Sequence, residues 1–304
     1  MIAEDARLVA FNRCLRFGYV AHFVREWVSL RPFWSEEFRA SFSAFGSPGA
    51  ARIALALFAL ATLTQLSCAA LGLLGELTPR LLWLSTVGLI VEALVMPIPM
   101  PNHVVLMLVA LTFQAVMLLW RRDEPWTVRG LSTLVVAGYA AAAIHKMNYG
   151  FLDILDTVLW HRVPPAGLRV LGISAVAVEL LVPFAALLSQ RWRPLALLVL
   201  LAFHFPMNST LGAVDYPWIA TSFYPLFFAA EDWASIEREL RQPDRLSRWL
   251  VGLSLVLFAA LAPKHDLPTL QGLVGAIVAA IWGYVTPVLL RRAWAQLSFA
   301  RAGL

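Results

Sequence analysis

Apolar runs separated by prolines and arginines set the layout of this chain. Continuous runs occupy residues 52–75, 81–96, 103–120, 130–147, 167–189 and 270–290. Uninterrupted apolar stretches of this order predict helices that cross a bilayer. Shorter runs at 194–207, 217–230 and 249–262 belong to the same pattern. Pro206, Pro217 and Pro225 predict kinks or breaks in the first two, because proline lacks the donor that a helix interior needs. The weakest run is 7–30, where Arg13, Arg16, His22 and Arg25 interrupt Leu8, Phe11, Leu15, Phe17, Val20, Phe23 and Val24. Hydropathy alone leaves that segment as either a crossing or an amphipathic helix lying in the interface.

Between the runs, residues 31–50 form a loop punctuated by Pro32, Gly46, Pro48 and Gly49. Residues 148–166, with Asp153, Asp156, His161 and Pro164-Pro165, suggest a re-entrant or interfacial piece. Residues 231–248 carry mixed charge on an amphipathic pattern, which suits a membrane surface. The expectation is an all-α polytopic bundle of about nine or ten spans, some short or broken. It is a single domain over 1–304, with no internal repeat. A β-barrel is excluded because its strands would alternate apolar and polar residues instead of running apolar throughout.

Composition agrees. Of 304 residues, 60% are hydrophobic and 14% charged, with a mean hydropathy of +0.71. That is the composition of a multi-pass membrane protein, not of a water-soluble domain. A net charge of +5 and a pI of 9.6 would suit nucleic acid, but the arginines flank apolar runs as they do in membrane-protein loops, so no nucleic-acid partner is expected. If each run crosses once from a cytoplasmic start, the inner loops hold 13 Lys/Arg and the outer loops 5, with Arg52 at the edge of its run counted among them. That bias supports this orientation. No cleavable signal peptide is expected. Cys14 and Cys68 lie in separate runs without a second ligand nearby, so neither a disulfide nor a metal site is expected.

Against this apolar background a few polar residues stand out. The chain has two lysines and 22 arginines, and Lys146 ends the run 130–147, next to His145. A lysine at that depth is costly unless it faces a cavity or a partner. Desolvation disfavours its ammonium form, so it can serve as a base; snorkelling to the interface is the structural alternative. Asn102-His103 opens the run 103–120 after a proline-rich turn, where Asn can cap and His can bind a polar head. His204 and Asn208 bracket Pro206, which frees backbone carbonyls near polar side chains. Alternating topology brings Asn102-His103, His145-Lys146 and Asn208 to the same, non-cytoplasmic end. Glu179 and Glu92 are intramembrane acids, for which pairing with an arginine or lysine is the plain reading. The spacing of Asp153, Asp156 and His161 is weak support for a metal, and none is expected. Neither a nucleophile elbow nor a glycine-rich phosphate loop is present.

The segment Phe203-His-Phe-Pro-Met-Asn-Ser-Thr-Leu-Gly-Ala-Val-Asp-Tyr-Pro-Trp-Ile-Ala-Thr-Ser-Phe-Tyr-Pro-Leu-Phe-Phe228 is distinctive. It resembles the membrane domain of vitamin K-dependent γ-glutamyl carboxylase and the bacterial family named for a horizontally transferred transmembrane domain. Asn102-His103, the stretch Tyr139 to Lys146-Met-Asn148 and the arginine-bearing segment 7–24 agree with that family in order. The likeness covers about residues 7–235, and the spans within 249–290 are additional. It favours a true crossing by 7–30.

The resemblance implies that Lys146 is the base that deprotonates a hydroquinone, reduced menaquinone or vitamin K hydroquinone. The reaction of that quinol with oxygen then generates a base strong enough to remove a C–H proton. His103, helped by Asn102, would assist at the cofactor oxygen, and His145, His204, Asn208, Tyr216 and Trp218 would line the cofactor site. This sequence differs from the family where paired lysines read His145-Lys146 and where one extra residue separates His204 from Met207-Asn-Ser. The large extramembrane domain with which the animal carboxylase engages its substrate has no counterpart here, so carboxylation of a propeptide-tagged protein is not implied. A small peptide or protein substrate is expected instead, as in the sporulation-delaying toxin maturation protein. The alternative function is a non-catalytic quinone- or lipid-binding accessory of peptide maturation or export, since fold does not fix chemistry.

Overall fold

Helix starts follow local capping chemistry. Asp5 accepts from the Arg7 amide and opens α1, Ala6–Phe23, which continues without a break into a π-helical turn, Val24–Leu30. Ser35 caps the short α2, Glu36–Ser41, and a 3-10 turn, Phe42–Phe45, closes on Gly46 at φ 83°, in the left-handed region that glycine tolerates. Ser47, followed by Pro48 at the first helical position, starts α3, Pro48–Leu74. Thr78 does the same before Pro79 for α4, Pro79–Val95. Then come α5, Asn102–Leu119, α6, Glu124–Asn148, α7, Pro165–Leu188, and α8, Arg193–Thr210. The run 217–230 is broken as its prolines predict, into α9, Asp215–Thr221, and a 3-10 turn, Tyr224–Phe227. The amphipathic stretch after it divides. It forms α10, Ala230–Leu240, and then α11, Arg245–Leu261, which Asp244 caps. The long α12, Leu270–Ala302, completes the order.

This computed structural model describes residues 5–30, 35–75, 78–96, 102–120, 124–148, 164–210, 215–262 and 269–302. Among them no strand occurs and the fold is all-α. The helices Pro48–Leu74, Pro125–Met147, Ala166–Leu188 and Leu270–Ser298 are long and apolar enough to cross a membrane. The expected re-entrant piece at 148–166, with Asp153, Asp156 and His161, lies almost wholly outside the described residues.

The run that hydropathy ranks weakest is the hub. Along α1 only Arg13 is exposed, while Leu8, Phe11, Asn12, Leu15, Arg16, Tyr19, Ala21 and His22 are buried. Its polar positions reach out radially. Asn12 Nδ2 donates to Gln114 Oε1 on α5 at 2.9 Å, Arg16 Nη1 to the Cys68 carbonyl on α3 at 3.0 Å, and the Tyr19 hydroxyl to Glu92 Oε2 on α4 at 2.8 Å. In return the Trp218 indole of α9 donates to the Cys14 carbonyl at 2.6 Å. Close approach is possible because Gly18 faces α9: a Cβ there would lie 2.7 Å from Ile219 Cγ1.

Outer helices show the opposite pattern. Leu57, Leu60, Leu63 and Leu74 of α3, and Val170, Ile173, Leu181 and Leu188 of α7, are exposed. Large apolar residues on this scale have no water-side explanation, and acyl chains account for them. The antiparallel sequence of α5 to α8 puts Arg7, Arg129, Gln190 and Arg193 around one cavity at one end of the bundle. The ends carrying His103 and Lys146 lie opposite.

Candidate functional site

Lys146 sits in the last turn of α6, where its ammonium donates to the Glu179 carboxylate of α7. Glu179 is fully buried, and the Lys146 side chain is 14% exposed. An isolated carboxylate in such surroundings would cost several kcal/mol, which the opposite charge offsets. Tyr139 lies two helical turns before Lys146 and therefore on the same face of α6. Its hydroxyl is 2.6 Å from His204 Nε2 on α8. Tyr224 is also buried, in the 3-10 turn that packs against α6, and its hydroxyl has no hydrogen-bond partner among the described residues. Three helices and a turn thus bring an ammonium, a carboxylate, an imidazole and two phenols together inside an apolar bundle.

A second polar group forms around α1. The buried His103 at the start of α5 lies edge-on to His22, with ring centroids 5.5 Å apart. His22 in turn lies 6.3 Å from Trp27 in the π-helical turn and 6.3 Å from Tyr19. Tyr19 holds one oxygen of Glu92; the other, Oε1, has no hydrogen-bond partner among the described residues. Insertion of a π-helical turn re-aims side chains, and here it turns Trp27 into the aromatic cluster with Phe38, Phe42 and Phe58.

The remaining expected site residues have other positions. His145 is exposed, although it adjoins Lys146. Asn208 is buried and donates to the Gly275 carbonyl at 3.1 Å, which ties α8 to α12. Trp218 ties α9 to α1 and also stands edge-on to Phe17, at 4.9 Å. The side chains of Asn102 and Tyr216 lie outside the described residues. Among the described residues no cluster of histidine, cysteine or carboxylate has the makings of a metal site.

The sequence reading did not assign Tyr139, Tyr224, Tyr19 or His22 to a site. Tyr139 carries the clearest signal, since it repeats Lys146 at a spacing of seven. Tyr19 and Tyr224 gain their places only from tertiary contacts.

Beside Tyr224 lies an almost wholly apolar cavity of about 100 Å³, between α1, α8, α9, α10 and α12. Trp218, Trp233, Ile281, Trp282 and Val285 contribute to its wall. Comparison with protein-family models, with curated proteins and with solved structures gives no match.

Proposed function

We propose that this chain is a membrane-embedded enzyme that moves protons on a bound quinol, with Lys146 and Glu179 as its internal acid–base pair. The observation that carries the reading is the juxtaposition of the buried Lys146–Glu179 pair with the Tyr139–His204 bond. Within an apolar bundle, four groups that exchange protons readily are expensive to assemble, and intramembrane ionisable residues that face the bundle interior mark proton pathways. The order of the sequence motifs supports the same chemistry. The excess of Lys/Arg in the loops at the far end supports a multi-pass protein of the cell membrane whose Lys146 end is non-cytoplasmic.

The side chains present suit a reduced menaquinone or vitamin K hydroquinone. They offer both donors and acceptors to a ring hydroxyl, and the apolar cavity abuts Tyr224. Such a group, when bound, supplies the oxygen-linked base needed to take a proton from an unreactive C–H bond of a small peptide or protein substrate. The chain's own residues do the rest. Lys146 is the group placed to exchange a proton with a ring hydroxyl, and Glu179 is its partner across the pair. Tyr139 and His204 hold the receiving groups in line, and the surrounding apolar residues exclude the water that would quench a strong base.

The test is to reconstitute the protein with the reduced quinone and oxygen and to measure epoxide. Wild type forms epoxide, and Lys146→Ala loses about 100-fold or more in rate. If Lys146→Ala makes epoxide as fast as wild type, the assignment is wrong. The self-contained geometry of the ion pair favours a second reading, a non-catalytic quinone- or lipid-binding accessory in which the pair only joins α6 to α7. In that case wild type binds the quinone without turnover, and Lys146→Ala keeps biological activity.

A further inference from the structure

At the opposite end of α6 from Lys146, a cavity of about 450 Å³ is bordered by an arginine from each of α1, α6 and α8: Arg7, Arg129 and Arg193. Three cations from separate stretches of the chain share one space, an arrangement that mutual repulsion disfavours. Their protein partners do not balance them. Arg7 is committed, since it pairs with Asp5 and donates to the Phe228 carbonyl. Arg193 donates through Nε to the Ala186 carbonyl at 3.0 Å, which leaves its two terminal nitrogens without a hydrogen-bond partner among the described residues. Asp232 of α10 is the acid whose charge reaches Arg193, but that side chain is 58% exposed and is shared with Arg292, at 3.9 Å. Arg129 is exposed, and its guanidinium makes no hydrogen bond or ion pair among the described residues. Ser132 and Thr133, also on the wall, turn their hydroxyl protons back to the Arg129 carbonyl. The two open guanidiniums therefore set the charge of the cavity.

We propose that this cavity seats the headgroup of an anionic phospholipid, with its phosphate between Arg129 and Arg193 and its acyl chains laid along α7. A guanidinium presents paired N–H donors that match phosphate oxygens, and two guanidiniums from different helices suit one phosphodiester. Much of the remaining wall is apolar, with Leu187, Leu226 and Phe227, which suits the glycerol and the first methylenes of a lipid and not a free hydrated anion. The volume is that of a small-molecule site and exceeds what inorganic phosphate fills. Leu187 belongs to α7, where the neighbouring Phe184 and Leu188 are exposed, so chains pass from the cavity onto a face open to lipid. Trp192, exposed beside Arg193, stands where an interfacial indole is expected. Basic pockets between helices at the arginine-rich end of a membrane protein recognise anionic headgroups by this chemistry. The inference uses nothing of the proton chemistry at Lys146.

The experiment measures binding, not turnover. The full chain is purified in detergent free of phospholipid and titrated with phosphatidylglycerol or with phosphatidylcholine of the same acyl chains, and bound lipid is counted by native mass spectrometry. Wild type is expected to bind phosphatidylglycerol at least about tenfold more tightly than phosphatidylcholine. Arg129→Gln and Arg193→Gln each weaken phosphatidylglycerol by about fivefold and phosphatidylcholine by less, and the double variant binds the two lipids equally. Arg238→Gln, at an exposed arginine of α10 outside the cavity, leaves both affinities unchanged. In a competition arm, inorganic phosphate and glycerol phosphate in large molar excess fail to displace phosphatidylglycerol from wild type.

Equal affinity of wild type for the two lipids overturns the proposal, as does a preference for phosphatidylglycerol that survives in the double glutamine variant. A loss in Arg238→Gln as large as in Arg129→Gln also overturns it, because the lipid is then drawn by the general positive charge of this end and not by the cavity. Displacement of the lipid by the soluble phosphates overturns the lipid assignment and makes the site one for a free phosphate. No arm reads epoxide, so a failure here is distinct from a failure of Lys146 as base.

Discussion

Helix α1 carries arginine, asparagine, tyrosine and histidine along its length and leaves only Arg13 exposed. Helix α7 is almost entirely apolar, yet it exposes Val170, Leu171, Ile173, Leu181, Phe184 and Leu188. In water this would be inverted. In a bilayer it follows from the solvent. Acyl chains accept an apolar surface without penalty but offer nothing to a polar side chain, so polar residues gain most where other helices supply partners. Helix α1 supplies the polar contacts that join α3, α4 and α5, and α7 supplies the lipid face, with a single buried carboxylate, Glu179, turned inward.

The largest expected effect comes from that carboxylate. Glu179→Leu makes α7 wholly apolar on its inner face and deprives the Lys146 ammonium of its counter-charge. Breaking one partner of a buried pair costs about 3–5 kcal/mol. Reversible unfolding in mixed micelles should show that loss. The double variant Lys146→Met/Glu179→Leu should return to within about 1 kcal/mol of wild type, because no uncompensated charge remains. A double variant as unstable as the single one would show that the pair contributes stability beyond mutual neutralisation.

The comparison sharpens with two truncations of similar chemistry. Phe11 on α1 is fully buried, against Phe223 at a centroid distance of 4.8 Å, and Phe11→Ala should cost about 3–5 kcal/mol. Ile173 on α7 is 68% exposed, and Ile173→Ala should change stability by no more than about 0.5 kcal/mol. Equal losses in the same unfolding assay would mean that α7 buries this face against something other than lipid.

What the sequence made legible follows the same division. Apolar runs with prolines and caps at their ends locate α3 to α8 well, because lipid-facing helices must be apolar and must end where arginine or proline begins. Lys146 and Glu179 were visible as expensive residues, and the pairing of Glu179 with a cation was one of its anticipated roles. The place of α1 was not visible, because hydropathy measures affinity for lipid and α1 faces protein. Nor was the Tyr139–His204 bond, since the two residues are 65 positions apart and meet only through the packing of α6, α7 and α8. Tyr19 and Glu92, 73 positions apart, join for the same reason.

The smallest effect tests the two helix starts. Asp5 caps the buried α1, where its carboxylate accepts from the Arg7 amide at 2.9 Å and pairs with the Arg7 guanidinium. That guanidinium also donates to the Phe228 carbonyl at 2.8 Å and so fastens the start of α1 to the end of the 3-10 turn. Ser47 caps the lipid-facing α3 through the Ala50 amide at 3.1 Å, in an exposed position. Asp5→Ala should cost about 1–2 kcal/mol and Ser47→Ala about 0.5 kcal/mol, since water replaces the second cap more readily.

The Asp5 cap should also depend on pH. Burial pushes the Asp5 carboxyl up, but the hydrogen bonds and charge of Arg7 outweigh it and hold the group below its ordinary value. A depressed folded value means that the unfolded chain takes up the proton first, so stability from this group is complete above the ordinary aspartate range. It is lost as pH falls from that range through the lower folded value. Wild type should therefore lose stability relative to Asp5→Asn as the medium is acidified across that window, whereas Ser47→Ala should run parallel to wild type. Parallel curves for Asp5→Asn and wild type would show that the cap acts only through its hydrogen bonds and not through its charge.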